Sequence, residues 1–143
     1  MKITLVILLT LLASTSSFAE KDSSTSVVIR GLDVYAKGGD PKAAMNSWLK
    51  GSALEGSKKA VGQSNTLRQI QDFYGEYKSY EIIKDHQISK RVHTILVVIH
   101  YQQGPLFGIF QTYLSNSGKW VVTSFNFNTE ANEIFPPKIF YGK

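Results

Sequence analysis

After Gly75 the hydrophobic pattern of the chain changes period, from that of a helix to an alternation of two. Four alternating runs follow: Tyr77 to Gln87, Val92 to Tyr101, Leu106 to Leu114 and Trp120 to Asn128. The breaks between them, ISKR, QQGP and SNSGK, hold four or five residues each. Connections that short join antiparallel neighbours. The chain is therefore expected to be α+β, with N-terminal helices packed on a four-stranded antiparallel meander.

Three helices are predicted before the switch. In VVIRGLDVYAKGG, Val28, Leu32 and Tyr35 share a face, with Ser26 placed to cap the start and Gly38-Gly39 to end it. Gly31 weakens that helix. Asp40-Pro41 opens the second, because Asp accepts free backbone N–H groups and Pro at the first helical position has none to lose. It carries Ala44, Met45, Trp48 and Leu49 and stops at Gly51. The third lies between Ser57 and Gly75, with Leu67, Ile70, Phe73 and Tyr74 on one face and Gly62 as a point of division.

Residues 1–19 read as a secretory signal peptide: a basic Met1-Lys2, an apolar run from Ile3 to Ala13, then Ser17 and Ala19 before a cut at Glu20. The run is too short to span a bilayer, which needs about 20 apolar residues. No Cys follows it, so no stable membrane anchor is expected, and the product is periplasmic or secreted. Residues 20–25 are expected to be disordered, 26–129 to form the domain and 130–143 an irregular tail. With no cysteine at all, the fold has no disulfides to lean on, which suits a bacterial envelope protein.

The formal charge is +5, of which Lys2 supplies one. A basic surface favours anionic partners. The densest groups, however, are only Lys58-Lys59 and Lys90-Arg91. That is a solvated surface without a stripe, and nucleic acid is not an expected partner.

Loop lengths suggest that Tyr101 lies opposite Leu106 and Leu114 opposite Trp120. One sheet face then holds His93, Ile95, Val97, Ile99, Tyr101, Leu106, Phe110, Leu114, Trp120 and Val122. The other holds Leu96, Val98, His100, Phe107, Ile109, Tyr113, Val121, Phe125 and Phe127. Helices can cover only one of them. An open antiparallel face is normally polar, so the second face predicts a homodimer through the sheet. The alternative cover is the C-terminal tail, through Ile134, Phe135, Ile139, Phe140 and Tyr141.

Helices first, then a curved meander ending in the Trp-containing strand KWVVTSFNFN, resemble the NTF2-like (nuclear transport factor 2-like) α+β cone fold over about residues 26–129. The resemblance implies a cone-shaped cavity between sheet and helices, and often a dimer through the outer sheet face. That family includes isomerases and dehydratases with a buried Asp, His or Tyr, and many members that only bind or scaffold. No catalytic motif of the family maps onto this chain, and fold alone does not settle function.

The three histidines, His86, His93 and His100, are seven residues apart. His86 and His93 are candidate cross-strand neighbours, but no acidic or Cys cluster completes a metal site, and none is expected. His100 reads as a core residue satisfied by one hydrogen bond, or as a general acid-base working with Tyr101 or Asp72. Aromatic residues number 17 of 143. Trp48, Phe73, Tyr74, Phe110 and Trp120, with the polar Gln111 and Asn126, are the candidate lining of a ligand cavity. Nucleophile triads and phosphate-cradling glycine loops are absent, and no cofactor is expected. The leading expectation is an exported, non-enzymatic domain that binds a small apolar ligand or a partner protein. The alternatives are a small envelope isomerase or lyase with a cavity His, and a structural dimer or assembly protein.

Overall fold

A computed structural model describes residues 22–141; the expected signal peptide lies outside them. Helices α1 (Ser26–Gly38), α2 (Pro41–Leu49) and α3 (Lys58–Tyr74) precede strands β1 (Tyr77–Ser89), β2 (Val92–Tyr101), β3 (Pro105–Leu114) and β4 (Trp120–Asn128). The strands pair antiparallel in chain order. The domain is α+β, helices first and meander second.

Local chemistry explains most boundaries. Asp40 caps α2 by accepting the Lys42 N–H at 3.0 Å, and Pro41 takes the first turn. Ser57 caps α3 through the Ala60 N–H at 3.2 Å. Gly62 does not divide α3, which runs unbroken for 17 residues. Ser26 is not the cap of α1. It is the first helical residue, and Thr25 precedes it with its hydroxyl committed elsewhere, to Asp85. The same bond holds the described part of the stretch expected to be disordered, residues 22–25, to the sheet. Ser24 is buried and also donates to Asp85, and Asp22 accepts the Trp120 N–H.

Gly31 has a packing reason. A Cβ there would overlap the Trp48 indole, which crosses α1 at this point and donates from Nε1 to the Val28 carbonyl at 2.8 Å. The indole then meets Phe110 at 5.2 Å and Phe127 at 5.6 Å between ring centroids.

Strand β4 resolves the problem of two apolar faces. Gln111 pairs with Ser124 but Thr112 pairs with Val122, so Thr123 is an extra residue in a bulge. A bulge breaks the alternation once. Trp120 and Val122 before it, and Phe125 and Phe127 after it, therefore all face the helices and join one core. Phe125 and Phe127 thus leave the outer face to which a strict period of two assigns them. Gln111, Thr123, Ser124 and Asn126 are exposed, so the β4 side of the outer face is polar. The remaining register expectations mostly hold: Leu114 pairs with Trp120, while Leu106 sits opposite Ile99, two residues from the expected Tyr101, which preserves the faces.

The tail is more ordered than its two prolines suggest. Ala131–Glu133 forms a 3-10 turn and Pro137–Tyr141 a short helix, α4. Ile134 and Phe135 bury themselves against Leu96 and Val98, with Phe107 and Ile109 packed beside them. The apolar middle of the outer face, which motivated the homodimer expectation, is thus covered at least in part by the chain's own tail.

Candidate functional site

Of the residues expected to line a cavity between helices and sheet, Trp120 borders a cleft between α1, the end of α2 and the β3–β4 hairpin; the others do not converge on one. Trp48 and Phe110 are fully buried in contact with each other. Phe73 is 74% exposed on the outside of α3, not on its packed face. Tyr74 packs at the edge of the core, and Trp120 lies at the other end of it. Gln111 and Asn126 are exposed on the outer side of the sheet. The cone cavity implied by the resemblance is closed: Trp48, Tyr35, Phe110 and Phe125 occupy the space.

The three acid-base candidates are also kept apart. His100 and Tyr101 are consecutive on β2 and point to opposite faces. His100 lies outside, 3.6 Å from Glu81, while Tyr101 is in the core and shares a 2.8 Å hydrogen bond with the Tyr35 hydroxyl. Burial pushes the Tyr101 phenol far above its ordinary range, and Tyr35 adds to that, so it holds its proton at any neutral pH. Asp72 is exposed on α3, in an open cleft with Asp40, Arg68 and Gln71.

The sheet instead assembles a pair that the sequence reading did not connect. His93 faces Gln87, so His86, opposite Thr94, lies on the other face and is no partner for it. His93 Nδ1 sits 2.7 Å from Asp85 Oδ1, and the other carboxylate oxygen accepts Ser24 at 2.9 Å and Thr25 at 2.7 Å. Trp120 packs on the imidazole in a T-shaped pair, 5.0 Å between ring centroids. Burial raises the Asp85 pKa, but hydrogen bonds from Thr25, His93 and Ser24, together with the His93 charge, outweigh it and hold the carboxyl below its usual value. This cluster ties the N-terminal lead into α1 to the sheet.

A depressed carboxyl pKa stabilises the fold above the unfolded value, near 3.9, and that stability is lost as pH falls through the folded value. Asp85→Asn should therefore lower stability at pH 7 by about 1–2 kcal/mol, the range for a partly exposed charged hydrogen-bond set. Urea titrations should show the gap to wild type closing as pH drops below about 4. A gap that stays constant with pH would contradict the assignment.

A ligand-sized space lies outside the cone. A groove of about 610 Å³ runs between the outer sheet face and the tail. Leu96 and Ile109 form its floor, and Ile134, Phe135, Pro136 and Ile139 its wall. Its rim carries Lys84, His86 and Lys138, with Glu133 and Asn132 beside them. Lys84 and His86 reach it because they alternate along β1, opposite Leu96 and Thr94. That alternation is readable in KDH; the tail wall is not readable without the fold.

No family model matches the chain, and no curated protein matches it. Among solved structures, a domain of unknown function with a cystatin-like fold from Nostoc punctiforme PCC 73102 is similar at 12% identity with a TM-score of 0.49, covering 81% of this chain and 78% of that one. A likeness this distant carries no argument about activity.

Proposed function

We propose that the protein is a non-catalytic binding domain, working outside the cytoplasm, that takes a small amphipathic acid in the groove between sheet and tail. The observation that carries this reading is the groove itself: an apolar floor and wall beside two lysines, on a domain whose interior is packed shut. Its size falls in the range of about 300–1,000 Å³ common for small-molecule sites. An acyl chain would lie on Leu96, Ile109 and Ile139, and its carboxylate would meet Lys84 and Lys138. The scattered placement of His100, Tyr101 and Asp72 supports binding over catalysis. Export rests on the leader-like residues 1–19.

The test uses dodecanoate, by displacement of a fluorescent fatty acid. Lys84→Ala with Lys138→Ala should weaken binding about tenfold, the effect of losing roughly 1.4 kcal/mol of head-group attraction. Both side chains are solvent-facing, so the fold should survive. Affinity unchanged by the double substitution, or no binding by wild type, would reject the reading.

A further inference from the structure

We propose a second ligand site, for a phosphate or sulfate ester of a sugar-sized molecule, in the cleft between α1, the end of α2 and the β3–β4 hairpin. The cleft holds about 590 Å³. Arg30, Lys50 and Lys119 enter it from three separate segments of the chain. They are scattered in sequence and gathered only by the fold. Among the described residues none of the three has a carboxylate within ion-pair distance; the pairs formed involve Arg68, Lys78, His93 and His100 instead.

One acid, Asp22, does line the cleft. Its carboxylate already accepts the backbone N–H of Trp120 at 3.2 Å. Three cations against one carboxylate leave a net positive concavity, and low-dielectric walls focus such a field. The donors suit an oxyanion. Ser47 offers a hydroxyl, and the guanidinium of Arg30 can take two oxygens at once. Ser115 and Ser117 are less available, because Ser115 donates to the Lys119 carbonyl and so accepts the Ser117 proton.

The ligand is more than a bare ion because the cleft has an apolar wall. Trp120 and Val121 line it. Trp120 is half-buried and packed against His93, so the indole is held in place as an apolar wall for a sugar ring. This site is separate from the groove under the tail: no residue lines both.

The experiment titrates the purified protein with glucose 6-phosphate, glucose 6-sulfate, inorganic phosphate and glucose, followed by calorimetry and tryptophan fluorescence. Binding of at least one ester with a change in tryptophan emission is expected, and the stronger of the two esters identifies the oxyanion. Lys50→Ser with Lys119→Ser should weaken it about tenfold or more, and raising salt from about 50 to 300 mM should weaken it further. Both lysines are exposed, so an unchanged thermal midpoint is expected to show that the variant is folded. Trp120→Leu should reduce affinity for the esters and leave inorganic phosphate unaffected. Failure of both esters to bind at about 10 mM, a range weaker than any useful site, would overturn the proposal. So would equal affinity for inorganic phosphate, or insensitivity to the lysine substitutions. Dodecanoate binding is untouched by any of these outcomes.

Discussion

Phe125→Asp is expected to abolish the folded state, whereas deletion of Thr123 should leave the protein folded. Thr123 is the extra residue of the β4 bulge. The bulge absorbs it, so that Trp120 and Val122 before it and Phe125 and Phe127 after it face the same core. Without Thr123 the strand alternates strictly and still keeps those four side chains on one face. Phe125 and Phe127 are 1% and 7% exposed, and Val122 is fully buried. Truncating a core Phe costs about 3–5 kcal/mol, and an unpaired carboxylate in the same place adds the cost of burying a charge. Domains have only about 5–15 kcal/mol in total. Thr123→Ala keeps the residue count and removes an exposed hydroxyl that pairs with Gln111, so it should change stability by less than about 1 kcal/mol. Circular dichroism and urea unfolding of the three variants separate the cases. A Phe125→Asp variant that melts near wild type would show that Phe125 faces outward, and an unfolded deletion variant would show that Thr123 is more than an absorbed extra residue.

Trp48→Ala is expected to lower stability by about 3–5 kcal/mol, the range for truncating a buried aromatic side chain. Trp48 is fully buried, it fills the space above Phe110 and Phe127, and Gly31 is bare to admit it. The substitution also removes the donor to the Val28 carbonyl. The hole it leaves is apolar, and holes of that kind stay dry and take small aromatic molecules. Indole should therefore raise the melting temperature of the variant and leave wild type unchanged. The paired result bears on function, because it shows that the interior accepts a ligand only when Trp48 is absent. A small loss of stability, or stabilisation of wild type by indole, would mean that the interior is already open.

Much of this architecture was legible in the sequence because it follows from period and from local caps. The switch at Gly75, the Asp40-Pro41 start and the short breaks between strands each act over a few residues. What was not legible depends on non-local registration. Thr123 has nothing in its own chemistry to mark it as a bulge, and its single extra residue moved Phe125 and Phe127 across the sheet. Asp85 and His93 meet only once the β1–β2 register is known, and β1 contains irregularities of its own. Phe73 fits the helical face by spacing but lies just outside the arc that α3 buries. Gly31, which counts against a helix by propensity, is there because a Trp from the next helix needs its surface. The groove required the tail to fold, and the basic cleft required three distant cations to converge.

The central claim is that this domain binds on the outside of its sheet while its interior is shut. An amide-correlation NMR titration with dodecanoate tests it most directly, because the Trp48 indole N–H, held by Val28, is a reporter inside the core. Shifts are expected at Leu96, Ile109, Ile134 and Ile139, with the Trp48 indole signal unmoved. A moving Trp48 signal with a silent groove would place the ligand inside the cone and contradict it.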